Sequence, residues 1–378
     1  MKIGILTQPL LCNYGGLLQA YALQTILERC GHDVSIINRE PAYMSTRFPN
    51  SVKLDVKYYL RKWLGRPNAK KSSHYKILSI ETSKFCHKYL KESPSLYNNK
   101  LLKSFISQAK YDAYVVGSDQ VWRPSMSPNI FNYFIDFDNR DDVKRVSYAA
   151  SFGVDNWAFS EEETKICSAL AKRFDAVSVR ESSGVSLCEK YLGVNATHVL
   201  DPTFLLEKNE YIQLVQEAKE PQSTGNLFCY ILDKSADKTA IIRDIVSKQG
   251  LQDYYCMPDL LDTPENIEHN PQNCIYPSVT KWLRSFMDAE MVLTDSFHGT
   301  VFSIIFNKPF WVIGNNERGL SRFASVLSIF GLSERLITPG YADNINWSES
   351  IDWDAVNGRK KELQLMSLNF LKNALLLH

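Results

Sequence analysis

Val292-Leu293-Thr294-Asp295-Ser296-Phe297-His298-Gly299-Thr300 decides how this chain reads: an apolar strand runs into a polar turn that opens a helix. The following residues, Gly299 to Asn307, are apolar enough for a buried helix. A parallel strand buried on both faces reads as such a run, and its carboxyl end is where open α/β sheets place their ligands. His298 therefore stands at a crevice beside first-turn amides, where a helix N-terminus favours an anion and an imidazole can move a proton. The competing reading is a histidine that merely caps the helix.

The same strand-and-helix alternation extends outward. Ile3–Thr7 reads as a strand, Leu17–Cys30 as a helix stopped by Gly31, and Val34–Asn38 as the next strand, a right-handed βαβ unit. Further strands are expected at Tyr114–Val116, Arg145–Ala150, Ala176–Val179 and Thr197–Leu200. A second series follows Asp201-Pro202-Thr203, with strands at Leu227–Leu232, Tyr254–Met257, Met291–Thr294 and Phe310–Ile313. The polar stretch Leu206–Gly225 reads as the connection between them. The expected fold class is α/β, two doubly wound Rossmann-like domains facing across a cleft. Residues 1–205 form an acceptor-side domain, 206–345 a donor-side domain, and 346–378 a closing helix that crosses back onto the first.

Composition narrows the function classes. Lys plus Arg number 43 against 42 acidic residues, so no overall basic field draws nucleic acid. The eight cysteines form no CxxC pair and no Cys/His cluster at zinc spacing, which points to reduced thiols and no metal site. No apolar run approaches the roughly 18 residues of a spanning helix, and the N-terminus enters a strand directly, so a soluble cytoplasmic protein is expected.

Loops at strand ends carry the candidate chemistry. Asn13-Tyr14-Gly15-Gly16 follows the first strand, its glycines allowing close backbone approach, and it matches neither a dinucleotide nor a P-loop pattern. Gly117-Ser118-Asp119-Gln120-Val121-Trp122 follows another strand; Ser118, Asp119 and Gln120 offer groups suited to sugar hydroxyls, and Trp122 a stacking face. Arg180 directly follows Val177-Ser178-Val179, where its planar fork suits phosphate or carboxylate; a salt bridge to Glu181 is the competing reading. Arg318 and Arg322 follow a fourth strand.

Together these motifs, with Ser147-Tyr148-Ala149-Ala150-Ser151-Phe152-Gly153, Asp201-Pro202-Thr203, Asn307-Lys308-Pro309 and Ser321-Arg322-Phe323, resemble the polysaccharide pyruvyl transferase family along nearly the whole chain. The resemblance implies a two-domain fold similar to GT-B glycosyltransferases and transfer of pyruvate from phosphoenolpyruvate (PEP) to paired sugar hydroxyls as a cyclic ketal. It places Arg180 and His298 in or near the PEP pocket. On this basis PEP falls to Arg180, Arg322 and the Gly299 and Thr300 amides, with Arg318 as a further source of charge. His298 becomes general acid or phosphate donor, Asp119 the acceptor-side base, and Asp295 a helix cap. No cofactor is expected beyond PEP as co-substrate. Ser296 stands where some family members carry arginine, so a phosphate contact from that position does not transfer. A nucleotide-sugar glycosyltransferase and a non-catalytic sugar-binding paralogue remain as alternatives, since fold alone does not decide function.

The segment 53–76 carries eight lysines and arginines against Asp55 alone, interleaved with Tyr58, Tyr59, Leu60, Trp63 and Leu64. It reads as an amphipathic helix for peripheral contact with the inner face of a membrane, where a lipid-linked sugar acceptor would be met, or as a solvated helix packed on the first domain.

Overall fold

A computed structural model describes residues 1–44, 50–63, 70–314, 320–337 and 345–376. Two all-parallel sheets organise them. The first contains β1 (Lys2–Leu6), β2 (Asp33–Ile36), β3 (Ala113–Val116), β4 (Lys144–Ala150), β5 (Ala176–Val179) and β6 (Thr197–His198), in the order β2-β1-β3-β4-β5-β6. The second contains β7 (Leu227–Tyr230), β8 (Asp253–Tyr254), β9 (Met291–Thr294), β10 (Phe310–Ile313) and β11 (Leu336–Ile337), in the order β11-β10-β9-β7-β8.

Each sheet starts at an inner strand, steps outward one way, then returns and builds the other way. Both therefore have a topological switch point, between β1 and β3 in the first and between β7 and β9 in the second. The central strands Ala113–Val116 and Met291–Thr294 are buried along their whole length, as strands covered by helices on both faces must be.

The expected strands are present, several shorter at the carboxyl end, and β11 adds one whose two residues are too short to show periodicity. The stretch read as a bare connection differs more. Lys208–Ala218 is a helix, started by a capping box between Glu207 and Glu210, with Tyr211, Leu214 and Val215 buried. The decisive helix also begins earlier than Gly299, at Phe297, because the Ser296 hydroxyl caps it.

Helix Trp353–Leu375 packs against the first sheet. Ser367 Oγ accepts from the Leu200 amide at 3.0 Å, Gln364 donates to the Phe204 carbonyl, and the Phe370 and Tyr148 rings lie 6.5 Å apart. Tyr14, in the first turn of helix Tyr14–Arg29, pins the two halves from the other side. Its ring stacks on Trp282 at 5.4 Å and its hydroxyl donates to the Pro277 carbonyl at 3.0 Å.

Candidate active site

The carboxyl ends at the two switch points face one another. Between them lies a cleft of about 540 Å³, a size suited to a small-molecule substrate. Asn13 after β1 and Asp119 and Gln120 after β3 line it from one side; Leu232 after β7 and Asp295, Ser296, Phe297 and His298 after β9 line it from the other, with Arg322.

Beneath the cleft sits a buried ionic cluster centred on Asp201, at the end of β6. Its Oδ2 accepts from Ser118 Oγ at 2.9 Å and Arg180 Nη1 at 3.0 Å and faces His298 Nε2 at 3.6 Å; its Oδ1 accepts from the Thr203 amide and hydroxyl. Burial raises the carboxyl pKa, but His298 and Arg180 outweigh it and hold Asp201 well below the usual carboxylate range. The charge thus persists in the interior because it is paired and fully hydrogen-bonded.

Asp201 in turn orients His298. At 3.6 Å the Nε2–Oδ2 approach is a charge contact rather than a hydrogen bond, Nε2 has no hydrogen-bond partner among the described residues, and Nδ1 lies against Gly15. The ring is also held by Gly15 of the opposite domain. A Cβ there would stand 2.5 Å from His298 Cβ and closer still to Cγ and Nδ1. Gly15 is thus needed for close approach rather than for a turn, and the two halves of the molecule meet at the imidazole.

For Arg180 the structure shows the competing reading, the salt bridge to Glu181. The arginine side chain is 1% exposed, its Nε donates to Glu181 Oε1 at 3.0 Å, and its Cζ lies 4.1 Å from the centroid of Phe297. Three carboxylates, Glu181, Asp201 and Asp119, surround it and keep it protonated against its burial. It is set back from the residues that line the cleft, paired with carboxylates, while its Nη2 has no hydrogen-bond partner among the described residues. Arg322 is the arginine at the cleft wall. Burial, then the neighbouring Arg180 charge, lowers its pKa to about 10 against the pull of Glu181 and Asp119, which leaves it cationic at neutral pH.

Asp119 lies in the cleft with φ +72°, a left-handed conformation that costs an aspartate on the order of 1 kcal/mol. Its carbonyl accepts from the Val121 and Ser151 amides, which fix the turn, and its carboxylate accepts from Asn13 Nδ2 at 2.8 Å and the Gln120 amide at 2.9 Å. Asn13 also caps helix Tyr14–Arg29 through the Gly16 amide.

Several expected ligands prove structural. Ser118 is fully buried on Asp201. Tyr14 is an interdomain anchor, and Gly16 packs against Asn13. The Gly299 and Thr300 amides are taken by Ser296 Oγ and Ser296 O, so they are not the anion donors expected. Trp122 is no stacking platform either: it is buried against Phe134 and donates to the Tyr133 carbonyl. Asp295 is not the cap. It accepts from the Leu232 and Asp233 amides and from Lys238 Nζ at 2.5 Å, tying the loop after β7 to the His298 turn. Arg318 falls outside the described residues.

Asp201 is the position whose weight sequence reasoning missed. Asp201 follows the expected strand Thr197–Leu200 as directly as Arg180 follows its own, so the same rule had the signal to find it. Among the described residues no group of His, Cys, Asp and Glu is placed to hold a metal ion.

Known proteins bear on this arrangement in two ways. Among solved structures, UDP-GlcNAc 2-epimerase from Methanocaldococcus jannaschii is similar over 99% of this chain and 100% of its own, with a TM-score of 0.52 at 13% identity. The enzyme of that name from Neisseria meningitidis, bound to UDP-GlcNAc, covers 98% and 100% with a TM-score of 0.48 at 11% identity. The first likeness shows the GT-B fold and nothing of the chemistry. No curated protein sequence matches the chain. The polysaccharide pyruvyl transferase model matches residues 13–317, from the Asn13 cap through the His298 turn, and the chain belongs to that family.

Proposed function

We propose that this protein transfers pyruvate from PEP to two hydroxyls of a sugar in a polysaccharide precursor, forming a cyclic ketal. The observation that carries the reading is the meeting of His298, Arg322 and Asp119 in one cleft, with the Asp201 carboxylate facing the imidazole from behind.

The chemistry asks for one proton in and two out. Protonation of the PEP methylene carbon makes it a methyl group and leaves C2 oxocarbenium-like. One sugar hydroxyl attacks C2 and loses its proton; the C2–O bond to phosphate breaks, and the second hydroxyl closes the ring as its proton departs. His298 lines the cleft and its imidazole is assigned the proton delivered to PEP or a hydrogen bond to the departing phosphate. Arg322 is assigned the anionic end of PEP in place of Arg180. Asp119, pre-set by Asn13, is assigned as acceptor for a sugar hydroxyl. Arg180 and Asp201 act through His298 as positioning residues. The acceptor is taken to be lipid-linked and the site of action the inner face of a membrane.

Supplying PEP and nucleotide sugars in separate incubations with candidate acceptors, then weighing the acceptor by mass spectrometry, tests the donor. Release of phosphate with a pyruvylated acceptor supports the proposal. Release of nucleotide identifies a glycosyltransferase, and binding without turnover a sugar-binding paralogue. His298→Ala is expected to lose about 10²–10⁴-fold in pyruvyl transfer while keeping the wild-type melting temperature to within a few degrees. Near-normal turnover by that variant removes His298 from the chemistry.

A further inference from the structure

Helix Asn50–Trp63 is built the wrong way round for a surface helix. Val52, Val56, Tyr59 and Leu60 are each more than half exposed, at 51%, 53%, 57% and 55%. Their spacing of four, three and one puts them within an arc of roughly 100° on the helix. Tyr58 is 3% exposed and lies on the opposite side, donating to Glu268 Oε1 at 2.9 Å. The helix is thus anchored by one face and turns an apolar stripe outward. Lys53 and Lys57, both exposed, border that stripe along one edge, and Asp55 lies beyond the other.

The surroundings extend the pattern. Lys71 Nζ sits 4.7 Å from the ring centroids of both Tyr58 and Tyr59 and pairs with Glu268. Lys70 pairs with Asp262, whose neighbour Leu261 is 74% exposed. The helix packs on Ser72–Leu78, whose Tyr75 and Leu78 line the cleft, as does Tyr43, itself half exposed. An outward apolar stripe bordered by lysines therefore stands on the rim of the site.

We propose that this helix seats the protein on an anionic lipid bilayer, with Val52, Val56, Tyr59 and Leu60 entering the interface and Lys53 and Lys57 among the headgroups. Charge complementarity selects this occupant: a chain of net charge +1 has eight basic residues against one acidic residue between positions 53 and 76, and although Lys70 and Lys71 are paired with Asp262 and Glu268, Lys53 and Lys57 stand exposed beside the stripe. No helix among the described residues is long and apolar enough to cross a membrane, so the contact is peripheral. Its use, to bring a membrane-borne acceptor to the cleft, rests on the proposed function; the binding itself does not.

Flotation of the full chain with vesicles, without substrate, tests it. The wild type is expected to float with phosphatidylcholine–phosphatidylglycerol vesicles at low salt, more weakly at high salt, and poorly with phosphatidylcholine alone. Lys53→Gln with Lys57→Gln, and separately Val56→Ser with Leu60→Ser, are each expected to lose on the order of tenfold in binding. All four side chains are exposed, so melting temperature and turnover on a water-soluble acceptor should match the wild type. A wild type that stays unbound at low salt, or binding that survives both double variants, overturns the proposal. A dimer in sedimentation that Val56→Ser with Leu60→Ser dissolves, without vesicle binding, assigns the stripe to a second copy instead. Loss of turnover with vesicle binding intact fails the pyruvyl-transfer reading alone.

Discussion

Replacing Gly15 by alanine adds one methyl group and no charge, yet it presses on the centre of the account. The new Cβ would lie 2.5 Å from His298 Cβ, where ordinary contact is 3.4–4 Å. His298 Cβ must therefore retreat by about 1 Å, the ring by more, and neither side yields easily. Gly15 is fixed in a capped first turn, and His298 Cβ is tied to the backbone of its own helix. Overpacking of this kind costs about 1–3 kcal/mol in stability, offset by up to about 1 kcal/mol because alanine is the better helix former. The larger effect is on geometry, since a displacement of 1 Å at reacting groups costs on the order of 10²-fold in rate. Steady-state kinetics and thermal melting of Gly15→Ala should show kcat falling about a hundredfold with a modest loss of melting temperature. Gly358→Ala, where a Cβ meets nothing within 4 Å, should raise stability slightly and leave kcat alone. Full turnover in a folded Gly15→Ala protein would refute the claim that the His298 ring position matters.

Three further outcomes are expected. Arg180→Lys should lose stability, by less than the roughly 3–5 kcal/mol of deleting a buried ionic partner, and should lower kcat with KM for PEP and acceptor little changed; a selective rise in KM for PEP would place Arg180 on the substrate after all. Arg322→Gln should raise KM for PEP at least tenfold while sparing acceptor affinity, and equal effects on both would remove it from the anion site. Because the folded pKa of Asp201 lies below its unfolded value of about 3.9, its stabilising contribution is present above that pH and lost as pH falls beneath it. Asp201→Asn should therefore show a shallower acid limb in melting temperature below pH ~4, and an acid limb identical to the wild type would mean the carboxylate is not held low.

What could be read in the sequence follows the range of the physics. Strands that end in polar loops announce themselves locally, so His298, Asp119 and Asn13 were found at the cleft they line. Burial of a charge is not local. Arg180 reads as a ligand or as the partner of its neighbour Glu181, and the second holds; Asp119 and Asp201 lie far along the chain, and only the folded sheet brings them to it. Trp122 was misread for a related reason: an aromatic side chain after a strand looks the same whether it faces a sugar or, as here, Phe134. Gly15 reads as a place of close approach to a ligand; that it accommodates His298 is not legible, because that group belongs to the other domain. The Gly299 and Thr300 amides were misassigned by a two-residue error in the helix start, enough for Ser296 to claim both.

Reaction in heavy water tests the central claim most directly. If PEP is protonated at its methylene carbon before a sugar hydroxyl attacks, the ketal formed from unlabelled PEP must carry one solvent deuterium in its methyl group. NMR and mass analysis of the product should find a CH2D group and one phosphate released per ketal. A ketal with an unlabelled methyl group, or no ketal while a nucleotide sugar is consumed, would contradict the account.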